Sequence, residues 1–305
     1  MGTVKAWVQA ARPRTLPLSL SGIITGSAMA LCQGAFDPYI FGLALLTTIG
    51  FQVTSNFAND YGDGVKGTDG ADRIGPQRAL QSGALDPKTL KRGIVMAAAL
   101  SLIVALLLIY QAFGPDQMPL ILLFLALGAA SLWAAIRYTM GSSPYGYRGL
   151  GDLFVFLFFG LLGVLGSLFL YTKNLAWPDL LPAIGIGLLC VGVLNLNNLR
   201  DMESDRKHGK NTLVVKMGFE NGKKYHLSLI VLALACFLLY FFGLHLPWWQ
   251  GLFLLAFVPI TAHGARVWGT KDPKKLDGEL KKLSLSTFLL ALLLISAMEF
   301  FCKFG

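Results

Sequence analysis

The chain has 305 residues, of which 54% are hydrophobic and only 14% are charged, and its formal net charge is +9. Soluble domains carry about a quarter of their residues as charges, so this composition excludes an ordinary soluble protein. Apolar runs long enough to cross a hydrocarbon core of about 30 Å recur along the whole sequence, which predicts an all-α membrane protein.

We predict nine transmembrane helices within a single domain that covers residues 1–305. The first apolar run follows basic residues, as the core of a signal peptide does. It is too long for such a core, and the residue before Cys32 is Leu31 rather than a small residue, so it is predicted to be a retained helix. The predicted spans are 15–33, 38–58, 92–113, 118–137, 151–172, 178–198, 225–243, 248–268 and 283–302.

The positions of Lys and Arg predict the orientation. With a cytoplasmic N-terminus, every Lys and Arg except Lys173 and Lys303 falls on the cytoplasmic side. Loops rich in Lys and Arg usually remain in the cytoplasm, so this bias supports a cytoplasmic N-terminus. With nine spans, the C-terminus is then predicted on the outer side. The same bias explains the net charge without a nucleic-acid partner. The long polar loops, about 60–92 and 200–224, place the catalytic function on the inner face.

The second predicted span ends in a cluster of amides and acids, which continues to Asp69 and Asp72. Carboxylates cost about 2.5–3.5 kcal/mol each at the centre of a membrane helix, so a membrane protein rarely keeps them there without a function. If the helix continues through the cluster, its polar side chains recur at steps of three and four residues and share one face. These residues are Gln52, Asn56, Asn59 or Asp60, and Asp63.

The sixth predicted span ends in a second cluster, between Asn197 and Asp205. Asn197 or Asn198, Asp201 and Asp205 again share one helix face. The two clusters lie four spans apart, which predicts two four-helix repeats and a ninth helix around a central cavity. Repeats of this kind often place a binding site at their interface. We therefore expect the two clusters to form one site.

Two such faces in one cavity would present carboxylate and amide oxygens, which suit Mg²⁺. Each cluster is followed by basic residues, which bind phosphate oxygens. Together these features predict a Mg²⁺-bound diphosphate whose apolar tail lies among the helices. A zinc or iron site is not expected, because the Cys and His residues stand apart in the sequence. The basic residues are Lys66, Arg73 and Arg78 after the first cluster, and Arg206, Lys207 and Lys210 after the second.

A lipid-tailed diphosphate implies ionisation of a C–O bond, in which metal ions stabilise the leaving diphosphate. Aromatic faces can shield the resulting allylic cation. Four tyrosines near the inner face are candidates for this shielding or for contact with an acceptor. They are Tyr61, Tyr138, Tyr145 and Tyr147.

At these residues the chain resembles the UbiA superfamily of intramembrane aromatic prenyltransferases, and within it the branch that acts on a naphthoate. The resemblance covers nearly the whole chain, and its motifs are specific jointly rather than singly. It implies a nine-helix bundle with a central cavity open toward lipid. The motifs are Arg12–Leu18, Ser55–Asp69, Asp72–Pro76, Pro144–Tyr147, Gly149–Asp152 and Leu194–Val215.

The resemblance also implies the reaction. A polyprenyl group from polyprenyl diphosphate would replace the carboxylate of 1,4-dihydroxy-2-naphthoate, releasing CO₂ and diphosphate and giving demethylmenaquinol. The implied cofactor is Mg²⁺, and two acidic clusters lead us to expect two ions. The expected location is the bacterial cytoplasmic (inner) membrane, where the enzyme would serve menaquinone biosynthesis.

Individual residues acquire roles from the same resemblance. The implied metal ligands are Asn59, Asp60, Asp63, Asp201 and Asp205, and the four acids among them are the expected catalytic residues. The diphosphate is expected on Asn56, Lys66, Arg73, Arg78 and Lys210, and the cation or acceptor on Tyr61, Tyr138 and Tyr147.

The chain departs from the general superfamily pattern at one position. Where that pattern has a third acid, this chain has Gly67, and Asp69 follows two residues later, as in the naphthoate branch. The alternative within the superfamily is a 4-hydroxybenzoate polyprenyltransferase of ubiquinone synthesis. A membrane transporter is the alternative from another class, since acids within membranes also mark ion pathways.

Overall fold

The computed structural model describes residues 3–68 and 74–304. Within these residues, nine helical segments are long and apolar enough to cross a membrane, which confirms the predicted all-α membrane fold. The helices are α1 (Thr3–Ala11), α2 (Leu16–Cys32), α3 (Pro38–Val65), α4 (Pro87–Phe113), α5 (Met118–Arg137), α6 (Gly151–Val155), α7 (Ser167–Thr172), α8 (Leu180–Lys207), α9 (Leu213–Met217), α10 (Phe219–Gly243), α11 (Phe257–Gly269) and α12 (Leu276–Phe304).

Short 3₁₀ turns and one π-helical segment complete these elements. The π segment, Phe156–Gly166, joins α6 to α7, so that the fifth span runs over Gly151–Thr172. The eighth span begins with a 3₁₀ turn, Trp248–Ala256, before α11. The helix α12 packs against α2, and α8 packs against α10.

Two long helices extend beyond the spans that hydropathy predicts. The helix α3 continues to Val65 rather than residue 58, and α8 continues to Lys207 rather than residue 198. Hydropathy ends early because the last turns of both helices carry the amide and acid clusters. The backbone nevertheless stays helical, and the acids Asp63 and Asp205 are buried within the bundle. We call the end of the bundle at which α3 and α8 terminate the charged end.

Aspartates that precede two of the helices explain where those helices begin. Asp37 precedes α3, and its carboxylate accepts hydrogen bonds from the amides of Tyr39 and Ile40 at 2.7 and 3.2 Å. Asp86 precedes α4 and accepts from the amide of Thr89 at 3.0 Å. A proline follows each of these caps, at a position where its missing N–H costs nothing. The caps therefore fix the start of the two helices that carry the first cluster and its loop.

Glycines allow the π segment to pack closely on both sides. A Cβ atom built at Gly22 on α2 would lie 2.7 Å from the carbonyl oxygen of Phe159, and one at Gly160 would lie 2.5 Å from Cα of Gly187 on α8. Real Cβ atoms do not approach that closely, so larger residues would push these helices apart. The glycines therefore position the π segment, which forms one wall of the cavity described below.

Two histidines that are far apart in sequence meet in the interior. Nε2 of His226 on α10 lies 3.0 Å from Nε2 of His263 on α11, and both side chains are fully buried. Nδ1 of His263 lies 2.7 Å from Glu279 of α12, whose other oxygen binds Lys282 at 2.5 Å. This chain of polar groups joins three helices of the C-terminal half.

We expect Glu279→Gln to lower the free energy of unfolding by about 1.5–3 kcal/mol, the usual contribution of a hydrogen bond to a charged group. The amide keeps the shape of the side chain but removes the charge that His263, Arg266 and Lys282 share. Thermal unfolding of the purified protein in one detergent measures the effect. Glu220→Gln is the control, since the side chain of Glu220 is largely exposed where it pairs with Lys223. Equal melting temperatures for the two variants would contradict the prediction.

Candidate active site

Asp63 is the acid of the first cluster that meets the basic and aromatic residues of the charged end. The phenol of Tyr147 donates a hydrogen bond to its Oδ1 at 2.9 Å. Its Oδ2 lies 3.6 Å from Nη2 of Arg78, and both side chains are almost completely buried. Asp63 thus connects the end of α3 to two neighbouring loops.

Asp205 is the corresponding acid of the second cluster. Its Oδ1 lies 3.6 Å from Nζ of Lys210. Burial alone would lower the pKa of the Lys210 amine, but the carboxylates of Asp63 and Asp205 outweigh it and raise that pKa. Lys210 therefore remains a cation between two acids, one from each cluster. Lys210 is thus influenced by an acid of each cluster, which brings the ends of the two clusters into one region of the molecule.

Tyr147 joins the loops that surround the two acids. Its hydroxyl lies 2.6 Å from Oγ1 of Thr68, and its carbonyl oxygen accepts a hydrogen bond from the amide of Asn211 at 3.0 Å. The amines of Lys66 and Lys210 lie 4.6 and 5.6 Å from the centre of its ring. Cations are attracted to ring faces over such distances. The ring of Tyr147 therefore holds two lysines of the predicted diphosphate set.

Lys66 is fixed by a second contact. Its amine donates to the carbonyl oxygen of Thr139 at 2.7 Å. Burial lowers the pKa of this amine, while the charge of Asp63 opposes that shift. Both lysines and Arg78 thus lie around the acids, as the binding of a diphosphate requires.

A large cavity begins beside this site. Its volume is about 360 Å³. Asn59 and Tyr138 line the part of the cavity nearest the charged end of the bundle, which we call its inner end. Burial, with smaller effects of nearby carboxylates, raises the pKa of Tyr138 to about 12, so its phenol keeps its proton at neutral pH. The walls are mainly apolar and come from α2 to α7, the π segment and one residue of α8, Leu194. Such a cavity suits a long apolar ligand.

Asp201, the first acid of the second cluster, is bound by its neighbour. Nε and Nη2 of Arg200 donate to the two oxygens of Asp201 at 2.8 and 2.6 Å. The guanidinium also donates to Asp277 of α12 at 2.6 Å and to Asn197 at 2.8 Å. We call these four residues the Arg200 network. It places Asp201 beside the site with both carboxylate oxygens already engaged.

Three further residues of the predicted set have other contacts. The oxygens of Asp60 accept from the backbone amides of Ala79 and Leu80 at 3.1 and 3.2 Å. The amide of Asn56 donates to the carbonyl oxygen of Ala11 at 2.8 Å, and Tyr61 packs in a small apolar cluster beside Trp7. These three side chains thus fix the loop after α3 and the corner between α1 and α2. The predicted residues Arg73, Asp69 and Asp72 lie outside the described residues.

The oxygen atoms of the site fit a magnesium ion that shares its coordination with a substrate. Within residues 3–68 and 74–304, no three His, Cys, Asp or Glu side chains converge to hold a metal by themselves. Mg²⁺ usually binds through one or two carboxylates plus phosphate oxygens, so three are not required. Oδ2 of Asp205 and Oδ1 of Asn198 are buried and have no hydrogen-bond partner among the described residues. A cation could bind Oδ2 of Asp205, whereas Asn198 lies two helical turns away on α8, too far for the same ion to bind both atoms.

Three residues near the site were not predicted from the sequence. Thr68 and Thr139 hold Tyr147 and Lys66, and a single threonine in a loop gives no signal of such a role. Asp152 is buried near Tyr138 and accepts a hydrogen bond from Tyr225 at 3.1 Å. An acid in the first turn of an apolar span is a signal that could have identified it.

Comparison with known proteins gives a consistent result. Residues 19–298 match the UbiA prenyltransferase family. The chain is 44% identical over 293 residues to the 1,4-dihydroxy-2-naphthoate octaprenyltransferases of Haemophilus influenzae and Escherichia coli K12, covering 95% of this chain and 94% of each relative. It also shares its fold with a UbiA homolog from Archaeoglobus fulgidus bound to GPP and Mg²⁺. That structure gives a TM-score of 0.64 at 16% identity, covering 95% of this chain and 99% of the other.

Proposed function

The chain belongs to the UbiA prenyltransferase family, and from this premise we propose that it is a 1,4-dihydroxy-2-naphthoate polyprenyltransferase. It transfers a polyprenyl group from polyprenyl diphosphate to the naphthoate, with loss of CO₂ and diphosphate, and gives demethylmenaquinol. The observation that carries this proposal is the 44% identity, over 95% of the chain, to relatives with that name. The acids, the cations and the apolar cavity supply what the chemistry needs.

The acids of the site would hold Mg²⁺. We expect Asp205 to do so through Oδ2, which has no hydrogen-bond partner among the described residues, and Asp63 and Asn59 to do so once they release Tyr147 and Thr139. Asp60 and Asp201 would contribute only by exchanging their present hydrogen bonds. When bound, the metal would stabilise the negative charge that develops on the leaving diphosphate. We propose two ions, one for each acidic cluster.

The basic residues bind the diphosphate itself. Lys66 and Lys210 are held over the ring of Tyr147, and Arg78 lies against Asp63. Because these cations are fixed before the substrate binds, they stabilise the developing charge with little reorganisation. The loops that carry them, about 60–92 and 200–224, contain half of the 26 Lys and Arg residues, so we propose that the charged end lies in the cytoplasm of a bacterial cell, at its inner membrane.

The cavity positions the prenyl chain and excludes water. Its inner end, at Asn59 and Tyr138, places the allylic carbon beside the bound diphosphate. The C–O bond to the diphosphate breaks, and a new C–C bond forms at the ring carbon that carries the carboxylate. The C–CO₂⁻ bond then breaks and returns its electron pair to the ring, so that CO₂ leaves. The neutral phenol of Tyr138 can shield the allylic cation without being consumed by it.

An assay of purified protein in lipid tests the proposal. It supplies octaprenyl diphosphate with either 1,4-dihydroxy-2-naphthoate or 4-hydroxybenzoate, with and without Mg²⁺. We expect Mg²⁺-dependent prenylation of the naphthoate alone, together with release of one CO₂ for each product. Prenylation of the benzoate instead would keep the fold and the site but assign the enzyme to ubiquinone synthesis. If neither acceptor is prenylated in the presence of Mg²⁺, the proposed activity is refuted.

A further inference from the structure

A glycine in the middle of the cavity wall has no side chain to limit the space beside it. This residue, Gly128, lies on α5 and lines the cavity. We propose that Gly128 determines which prenyl chain lengths the enzyme accepts, because a side chain there would obstruct the path of the tail. The inference rests on the proposed function and adds a residue that sets its substrate range.

The cavity is long enough for its far part to concern only long chains. It extends along α3 from Asn59 at the inner end to Ala44, which is about 22 Å at the helical rise of about 1.5 Å per residue. Ile109 of α4 and Leu170 of α7 line it as well. The reacting carbon lies at the inner end, beside the diphosphate site. A short prenyl group therefore occupies the inner part, and each added unit extends toward Ala44.

Gly128 lies part of the way along this path. It precedes Tyr138 by ten residues, which places it about 15 Å from the inner end along α5. It also lies at the centre of the α5 face that lines the cavity, since its neighbours at three and four residues line it too. Those neighbours are Phe124 and Ser131, followed toward the inner end by Ala134, Ala135 and Tyr138.

The space beside Gly128 distinguishes it from the other glycines of the wall. A Cβ atom built at Gly128 meets no heavy atom within 4 Å. One built at Gly163 would lie 3.3 Å from the carbonyl oxygen of Phe158, and one at Gly166 would lie 3.0 Å from Cδ1 of Leu162. A side chain at either of those glycines would therefore crowd its own π segment. Gly128 can accept a larger residue without displacing the protein, and that residue would fill the cavity.

Gly128→Phe tests the inference. The specificity constant kcat/KM for the naphthoate reaction is measured with geranyl, farnesyl, geranylgeranyl and octaprenyl diphosphates. We expect the value for geranyl diphosphate to stay within about twofold of the wild type and the value for octaprenyl diphosphate to fall at least tenfold. Gly128→Ala, which adds one methyl group, is expected to give a smaller change in the same direction.

Gly42→Phe is the matched control. Gly42 also lies in a membrane-spanning helix, α3, and its added Cβ atom likewise meets no heavy atom within 4 Å, but it does not line the cavity. We expect this variant to show no dependence on chain length beyond that of the wild type. An equal loss at every chain length in Gly128→Phe would overturn the inference, as would unchanged values at every length.

A binding measurement separates the failure of this inference from failure of the proposed function. Dissociation constants of the four diphosphates are measured in the presence of Mg²⁺ and without an acceptor. If the wild type forms no prenylated naphthoate, the proposed function fails. The inference still requires that Gly128→Phe weaken the binding of octaprenyl diphosphate relative to geranyl diphosphate, and equal effects on both would refute it.

Discussion

Asp63→Asn is expected to lower kcat/KM by about 10²–10³-fold, the usual effect of removing one preorganised electrostatic group from an active site. Asp63 supplies a negative charge from the first cluster to a site that contains Arg78 and Lys210. Asn keeps the size of the side chain and can still accept the hydrogen bond from Tyr147. The variant therefore removes the charge while preserving the local packing. Initial rates of naphthoate prenylation at saturating Mg²⁺ measure the effect.

Glu203→Gln is the control for this prediction. Glu203 lies on α8 near the same end of the bundle, but its side chain is largely exposed. Its Oε1 lies 3.4 Å from Nη1 of Arg206, which is exposed as well. We expect Glu203→Gln to retain activity within about twofold. Asp63→Asn is expected to remain folded but to melt at a lower temperature than the wild type, because Arg78 loses a buried partner. Activity near the wild-type value in Asp63→Asn would show that this carboxylate does not serve the reaction.

The sequence was sufficient to predict the nine spans and the two acids that share Lys210. Long apolar runs report the spans directly, since the bilayer fixes their length. Asp63 and Asp205 were predictable because a buried acid at the end of an apolar helix is costly and therefore informative. The continuation of α3 and α8 through these acids follows from their spacing at three and four residues. Hydropathy alone ended both helices too soon.

The partners of the predicted residues were not predictable in the same way. Asp201 and Asp205 look equivalent in sequence, yet Asp201 is bound by Arg200, which also donates to Asp277 of the last helix. Likewise, Asp60 differs from Asp63 by less than one helical turn, and it turns toward the backbone of residues 79–80 instead. The hydrogen-bond partners of these acids depend on how segments that are distant in sequence pack together. Neither periodicity nor composition predicts that packing.

The tyrosines show the same limit. Tyr61, Tyr138 and Tyr147 all follow apolar segments, so one shared role was predicted for them. In the structure, Tyr138 lines the cavity, Tyr147 binds two lysines through its ring, and Tyr61 packs in an apolar cluster. Cation shielding therefore remains a prediction for Tyr138, whereas Tyr147 is better placed to hold Lys66 and Lys210. The difference arises from the loop between α5 and α6, whose conformation no local pattern predicts.

Arg200→Met is expected to destabilise the protein by about 3–5 kcal/mol, because removing one partner of a buried ion pair leaves the other charge uncompensated. The side chain of Arg200 is 2% exposed and that of Asp201 is 9% exposed, so water cannot replace the lost hydrogen bonds. Met has a similar length, so the packing around the chain changes little. Thermal unfolding in a single detergent, compared with the wild type, measures the loss.

The Arg200 network provides its own controls. Asp277 is 43% exposed, so Asp277→Asn removes a charge that water can still solvate, and we expect a loss of at most about 1 kcal/mol. The double variant Arg200→Met, Asp201→Asn removes both members of the buried pair, and its melting temperature is expected to lie above that of Arg200→Met alone. If the double variant were no more stable than the single one, the uncompensated charge of Asp201 could not be the cause. The destabilisation would then come from the lost link between α8 and α12.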